Sequence, residues 1–363
     1  MYIPGENACY MEVIDILSER TGIEVGKMLN RKAIALLSGG LDSTLAVKLM
    51  IDQGIEMTAV HFTSVFCNCT PKTAGCKMQA RKVAEEFDVP IRVIHKGMDY
   101  IKMVERPPHG HGSGMNPCID CRIYMLRKVK EMMPELGASF VITGEVLGQR
   151  PMSQQRHTIN LIERESGLAG LILRPLSALH FEPTRPEREG IVDREKLLDM
   201  SGRTRKPQFA LAAELGVKDY PCPAGGCLLT DKVIATRLRD LFAHQPDYTH
   251  TDLVLITIGR HFRLRPGVKA ILGRTQEENE RISGLAGPEQ SLFSPHNFRG
   301  PTTLAVGMLD DNDRCMISEI IAAFSQDHEQ VYTIRQRYGR EEFPMLSIVE
   351  KKPREGYELL RIG

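Results

Sequence analysis

The sequence predicts an α/β chain: a doubly wound parallel sheet over residues 31–232, a smaller α+β unit over 233–363, and a helical extension over 1–30. Three observations predict it. Short apolar runs alternate with helical patterns from Ala33 to Thr143, as a parallel sheet with crossover helices requires. A polar, Gly-rich turn, Ser38-Gly39-Gly40-Leu41-Asp42-Ser43, separates the first apolar run from the first helical pattern. Beyond residue 232 the periods become mixed and basic residues interleave with apolar ones.

Composition sets bounds on what such a chain does. With 363 residues, two or three domains are expected. Lys+Arg number 47 against 46 Asp+Glu, which excludes a protein that coats nucleic acid wholesale and leaves room for a local basic patch. No apolar run reaches the length of a membrane span, and the start, with Glu6, Asn7 and Glu12, lacks a basic, apolar leader. The expectation is a cytoplasmic protein with no membrane partner and reduced thiols. Its nine cysteines then point to metal or thiol chemistry rather than to a disulfide framework.

In the extension, Val13, Ile14, Ile16 and Leu17 are placed to dock on the main unit. Strands are expected at 33–37, 57–62, 91–95 and 139–143, and helices at 43–53, 76–87 and 120–133. Ala33 to Leu37 is an apolar run without helical period, the signature of a strand buried on both faces. Gly39 and Gly40 let the backbone turn sharply and approach a ligand. The turn amides and the following helix N-terminus favour a phosphate, and Asp42 beside it would hold Mg²⁺ bridging the phosphates. Ligands of such sheets bind beyond the carboxyl ends of the strands, where this turn, His61 and Thr143-Gly144 all fall. Gly144 there suits close approach to a base or ribose. Residues 105–118, rich in Pro, Gly and His, form a loop that orders around substrate, with His109 and His111 read as solvated.

Cys118 and Cys121, at i and i+3, share one helical face near an N-terminus whose dipole favours thiolates. Cys222 and Cys227 lie in a stretch made rigid by two prolines and two glycines, Tyr220 to Asp231. Together they allow a Cys₄ zinc site, or an iron–sulfur cluster with three protein cysteines and one open iron; the residues alone leave both open. Cys67, Cys69 and Cys76 follow the second strand in a spacing that matches no dependable metal pattern.

The Ser38–Ser43 string resembles the signature of the PP-loop ATP pyrophosphatases, which cleave ATP between the α- and β-phosphates and adenylate a substrate oxygen. Asn116-Pro117-x-x-x-Cys121 resembles a motif of the tRNA 2-thiouridine synthetases, with Cys118 where that family often has Asp. Ile142-Thr143-Gly144 and Gly225-Gly226-Cys227-Leu228-Leu229-Thr230-Asp231 resemble two further segments of that family. The Cys118/Cys121 pair with a late cysteine is also similar to tRNA thiolases in which three cysteines hold a [4Fe-4S] cluster. The resemblance spans roughly 30–232 and implies a Rossmann-like domain that adenylates a tRNA uridine and thiolates it, with sulfur delivered from a Cys-bound [4Fe-4S] cluster or from a Cys persulfide. ATP and Mg²⁺ would be held by Leu37, Ser38, Gly39, Gly40, Asp42, Ser43, His61 and Gly144. Asp42, Cys121 and Cys227 would be catalytic, and Cys118, Cys121, Cys222 and Cys227 would supply the metal ligands. The third ligand is Cys227 by its Gly-Cys-Leu-Leu-Thr-Asp context or Cys222 by its Pro-Cys-Pro context. The implied partners are tRNA, a sulfur donor (sulfide or a cysteine-desulfurase relay) and a second copy in a homodimer. The chain lacks the long central and barrel domains of the 2-thiouridine family and the rhodanese modules of the 4-thiouridine synthases, which leaves the modified base open.

In the tail, Arg260, Arg263, Arg265 and Lys269 flank apolar residues and read as a strand with one basic face toward RNA phosphates, with Leu253–Gly259 as a preceding strand. Ala270-Ile271-Leu272-Gly273-Arg274-Thr275, with Glu278-Asn279-Glu280, resembles the RNA-binding domain of NFACT proteins. A strand at 303–308, a helix at 313–325 and strands near 331–337 and 345–350 complete this unit. The competing reading is an ATP-dependent amide or amine ligase with a structural Cys₄ zinc, which metal analysis separates from a thiolase. A third, an RNA-binding regulator with a lapsed ATP site, is disfavoured by the intact Ser38–Ser43 string.

Overall fold

The computed structural model describes residues 29–67, 76–218, 220, 227–339 and 341–363, so residues 1–28 of the expected extension, Cys69 and Cys222 lie outside the described residues. The N-terminal unit contains β1 (Lys32–Leu36), α1 (Leu41–Asp52), β2 (Glu56–Thr63), α2 (Cys76–Glu86), β3 (Ile91–His95), α3 (Met98–Glu105), α4 (Cys118–Leu136), β4 (Phe140–Thr143), α5 (Arg156–Ser166) and β5 (Ile172–Leu173). The short α6 (Arg185–Arg188) and α7 (Lys206–Glu214) follow. The five strands are all parallel, in the order β3-β2-β1-β4-β5. The doubly wound expectation holds, and β1 shows why. Ala33 and Ala35 pack with Ala46, Met50 and Val83 on one face, while Ile34 and Leu36 pack with Leu126, Val129 and Ile162 on the other. A strand covered by helices on both faces has no polar alternation to spare. The order reverses at β1, which places the switch-point crevice between the ends of β1 and β4.

The C-terminal unit contains α8 (Lys232–His244), α9 (His250–Leu255), β6 (Arg260–Arg265), β7 (Val268–Leu272), α10 (Gln276–Leu285), β8 (Ser291–Pro295), β9 (Thr303–Val306), α11 (Asp311–Ala323), β10 (Tyr332–Tyr338) and β11 (Glu341–Val349). Its six strands are antiparallel, in the order β11-β10-β8-β9-β7-β6. Phe262, Phe293 and Tyr332 meet Ile317 and Ile321 of α11 on one face; Ile271, Leu292 and Leu304 meet Leu255 and Ile282 on the other. Helices α8 and α9 also reach back: Ile234, Leu238, Leu241 and Leu253 form one core with Phe66, Tyr100, Met115 and Leu229 of the N-terminal unit.

The expected strand at 253–259 is instead the end of α9 and a turn. Thr249 and Asp252 form a reciprocal capping box that starts the helix, and Gly259 (φ +67°) closes the turn. The β-branched run Val254, Ile256, Thr257 and Ile258 is overridden because its apolar side chains are taken by two cores, one on each side. None of the described helices is long and apolar enough to cross a membrane.

His261, fully buried on β6, donates through Nε2 to the carbonyls of Ile258 (2.9 Å) and Leu255 (3.1 Å). Burial, then the charges of Lys269 and Arg237, hold it well below its ordinary value near 6.5. The folded form is neutral while the unfolded chain binds a proton below about 6.5, so folding stability falls as pH drops through that value. We expect denaturation midpoints to fall between pH 7 and pH 5, with a slope contributed by this residue approaching about 1.4 kcal/mol per pH unit. His261→Gln, measured in the same buffers, is expected to flatten that slope; an unchanged slope assigns it to other groups.

Candidate nucleotide and thiol site

The Ser38–Ser43 turn leaves the carboxyl end of β1 and is held by its own hydroxyls. Ser43 Oγ donates to the Gly40 carbonyl at 2.8 Å and lies 3.0 Å from Ser38 Oγ, and the Ser38 amide donates to it at 3.2 Å. Gly39 (φ +79°) makes the reversal. No side chain caps the N-terminus of α1, so its first amides are left for an anion. Gly144 comes closer than the sequence implies, and to a different target. A Cβ there would stand 2.5 Å from the Asp42 carbonyl carbon, the Asp42 oxygen and the Ser43 nitrogen. The bare backbone at Gly144 is required by the turn itself. His61 and Leu37 are buried behind the turn, where the His61 Nδ1–H donates to the Leu37 carbonyl at 2.8 Å. They brace the loop from within.

Asp42 is held by groups the sequence reading missed. Gln149 Nε2 donates to one of its oxygens at 2.8 Å and Arg205 Nη2 to the other at 3.0 Å, while Gln208 Nε2 orients Gln149 at 3.0 Å. Arg205 lies 163 residues from Asp42, and no local pattern announces that contact. Behind Gly144, the buried Glu145 binds two guanidinium groups, Arg122 and Arg174, each at 3.0 Å. Burial alone would raise its carboxyl; the charges of Arg122 and Arg174 overcome this and hold it below the ordinary range.

The thiols gather beside this edge. Cys118 and Cys121 occupy the first turn of α4, as their spacing predicts. Asn116 Nδ2 donates to Cys118 Sγ at 3.2 Å; Lys96 Nζ and Tyr100 OH each donate to Cys121 Sγ at 3.5 Å. Burial, then the charge of Cys121, holds the Tyr100 phenol well above its usual range, so it remains a proton donor. Lys96 directly follows β3, so its place at the ligand edge was legible and went unread. Cys227 arrives through the 106–117 loop: Met115 N donates to the Leu229 carbonyl at 2.8 Å, and the close pass at Gly114 leaves no room for a Cβ against that oxygen. Cys227 is exposed as a residue. Yet protein crowding its thiol pushes it up to about 11, and the charges of Cys121 and Cys118 add to this. The charge of Lys96 acts the other way, so Cys227 lies within electrostatic reach of both other thiols and of one ammonium; three such sulfurs are a donor set suited to a thiophilic metal. Among the described residues no three His, Cys, Asp or Glu side chains already stand at the spacing of a closed metal site. The two histidines read as solvated are bound instead: His109 Nδ1 to Asp120 at 2.7 Å and His111 Nε2 to the Val104 carbonyl at 2.7 Å.

The basic strand is largely committed to the fold. Lys269 is buried and paired with Asp240 (3.3 Å), and Arg263 grips the same carboxylate at 2.6 and 3.0 Å. Arg265 is paired with Asp313 at 2.7 Å. β6 pairs antiparallel with β7, and the Asp240 carboxylate draws these side chains inward, so a buried Lys269 cannot reach a phosphate. Arg260 differs. It lies over the Phe324 ring at 5.1 Å, which Arg354 shares at 5.0 Å. Burial, then the charges of Arg274, Arg361 and Arg354, hold its guanidinium below its ordinary range.

A family model described as "Thiamine biosynthesis protein (ThiI)" matches residues 29–183, and one described as "NFACT protein RNA binding domain" matches 259–355. The chain is thus similar over its first half to the ThiI model and over its C-terminal unit to the NFACT RNA-binding model. The first match spans the parallel sheet and its turn, and the second spans all six strands of the antiparallel sheet. A probable tRNA sulfurtransferase of Lysinibacillus sphaericus is 30% identical over 47% of this chain and 40% of its own length. The tRNA-specific 2-thiouridylase MnmA of Herpetosiphon aurantiacus is 28% identical over 86% of each chain. The chain thus spans less than half the length of the first of these relatives. Among solved structures, the U34-tRNA thiolase NcsA from Methanococcus maripaludis, with its [4Fe-4S] cluster, is 17% identical over 69% of this chain and 78% of its own, with a TM-score of 0.32.

Proposed function

We propose that the chain thiolates a tRNA uridine at the expense of ATP. The observation that carries the reading is that the Asp42-bearing turn and the thiols of Cys118, Cys121 and Cys227 lie along the ligand edge of one parallel sheet. In this reading the turn amides take the phosphates, Asp42 takes Mg²⁺, and Arg205 adds positive charge beside them. A uridine carbonyl oxygen attacks the α-phosphorus and pyrophosphate leaves; sulfide-level sulfur then adds at the ring carbon, gives up its proton, and AMP departs with the former carbonyl oxygen. Cys118, Cys121 and either Cys227 or Cys222 would hold a [4Fe-4S] cluster, which would bind hydrosulfide taken from the sulfur donor. Lys96 and Tyr100 direct their hydrogen bonds at Cys121 Sγ and would orient that ligand. Arg260, Arg354 and Arg361 take RNA phosphates, with Phe324 beside them. The names of the ThiI-type and MnmA relatives and the NFACT match support this assignment of substrate.

The test uses anaerobically purified protein, bulk tRNA and ATP, with pyrophosphate release and iron, zinc and acid-labile sulfide measured together. Asp42→Ala is expected to reduce pyrophosphate release by at least about 100-fold with metal content unchanged, because electrostatic stabilisation is usually the largest catalytic contribution. Cys118→Ala is expected to lose metal while part of the pyrophosphate release survives. Wild-type protein that releases no pyrophosphate with tRNA overturns the reading. Stoichiometric zinc without sulfide would favour the ligase reading.

A further inference from the structure

Cys67 plays no part in the function proposed above, yet the fold sets it directly opposite Cys227. The two residues form an isolated antiparallel bridge across the seam between the end of β2 and the Cys227 segment. The flanking hydrogen bond runs from the Leu228 amide to the Phe66 carbonyl, 2.9 Å, one residue outside the pair. That pattern makes Cys67 and Cys227 a non-hydrogen-bonded pair, the closer of the two antiparallel types, with Cα atoms typically about 4.5 Å apart. Disulfides form at Cα separations of roughly 4.4–6.8 Å. Both backbones are pinned. Phe66 and Leu229 are fully buried, the Cys67 amide donates to the Ser64 carbonyl at 3.1 Å, and the Thr230 amide donates to the Cys227 carbonyl at 3.0 Å. Ser64 N–H also points at Cys67 Sγ, 3.2 Å away.

We propose that Cys67 and Cys227 form a reversible cross-strand disulfide, a thiol-modification site that competes with the use of Cys227 by the thiol centre. The oxidant is a low-molecular-weight disulfide, RSSR. One protein thiolate attacks it, forming a mixed disulfide and expelling RS⁻. The second thiolate then attacks the protein sulfur of that mixed disulfide, closing Cys67–Cys227 and expelling the second RS⁻. In sum, two protein thiols give two electrons and two protons, and RSSR leaves as two RSH. An excess of dithiol runs the exchange backward. While the bridge is closed, Cys227 has no thiolate to give a metal, so the oxidised protein carries an incomplete ligand set. This consequence rests on Cys227 serving as a ligand in the proposed function; the disulfide itself does not.

The experiment equilibrates the full-length, metal-free protein in graded mixtures of oxidised and reduced glutathione, traps free thiols by alkylation and maps the linked peptides. Cobalt(II) uptake, followed by its thiolate charge-transfer absorption, is measured on the same samples. A Cys67–Cys227 peptide is expected to accumulate with oxidation, and cobalt uptake by the wild type is expected to fall at least about fivefold. Cys67→Ser should abolish that peptide and make cobalt uptake nearly independent of the glutathione ratio. Linkage of Cys227 to Cys121, Cys118 or Cys222 in place of Cys67 overturns the proposal, as does equal alkylation of Cys67 and Cys227 at every ratio. A wild type that forms the Cys67–Cys227 link but binds cobalt equally when oxidised and reduced keeps the disulfide and removes Cys227 from the ligand set. That failure belongs to the functional reading and is distinguishable from failure of the disulfide.

Discussion

Gly144→Ala is expected to remove nucleotide-dependent chemistry almost entirely, although it adds one methyl group. That methyl would stand 2.5 Å from three backbone atoms of Asp42 and Ser43. No side chain can rotate away to relieve it, because every contact is main chain. Either the end of β4 moves off β1, where Leu36 pairs with Thr143, or the turn moves off the end of β1. Each displaces the amides and carboxylate that, on the proposed reading, face the phosphates. Misplacement on the order of 1 Å costs roughly 100-fold in rate. Pyrophosphate formation with tRNA should therefore fall by about that factor or more, with metal content unaltered. Activity within a few-fold of wild type would show that the turn tolerates the shift and that its geometry matters less than its charge.

The second large effect falls on stability. Glu145→Gln keeps the shape but leaves Arg122 and Arg174 without their shared counter-charge; Arg174 is almost fully buried and retains only Glu163. Removing one member of a buried ion network costs on the order of 3–5 kcal/mol, because the remaining charge is stranded rather than resolvated. The urea midpoint at pH 7 should shift by the corresponding amount. The Glu145 carboxyl is held below its ordinary range, so its contribution is present above the unfolded value near 4.5 and is lost as pH falls through the folded value. The gap between wild type and variant should accordingly close in acid. A gap that persists there would mean that the substituted amide disturbs packing rather than charge.

Much of this was legible where the chain repeats a local rule. The first four strands announced themselves, most clearly the inner ones, because runs such as Ala33–Leu37 and Phe140–Thr143 have helices on both faces and need no polar positions. The turn was legible because its requirements are local: glycine at Gly39 and a carboxylate at Asp42. The contacts that complete it were not. Arg205 and Gln149 reach Asp42 from 163 and 107 residues away, and only the packing of α7 on α1 brings Arg205 and Gln208 there. The same limit misled the reading of Leu253–Gly259. Its β-branched composition spoke for a strand, but the helix start at Thr249 and the two cores on either side decided otherwise. Charge was the least legible property. Arg263, Arg265 and Lys269 form a basic stripe in one dimension, yet in three they are anchored by Asp240 and Asp313. A second group of cations gathers around the half-buried Arg260, with the exposed Arg354 and Arg361 contributed by the far end of the chain.

The core shared by Phe66, Tyr100, Met115 and Leu229 with α8 and α9 has a further consequence. It welds the arm that would grip RNA to the wall that carries Cys121 and Cys227. A molecule built this way works as a caliper. The span between its two jaws is set by packed side chains rather than by a tether. On the proposed reading, the nucleotide presented to the turn is chosen by its distance along the folded RNA from the place where the backbone is held. Identity at the target then comes from measured length, and the pocket itself need distinguish only a uridine from the other three bases.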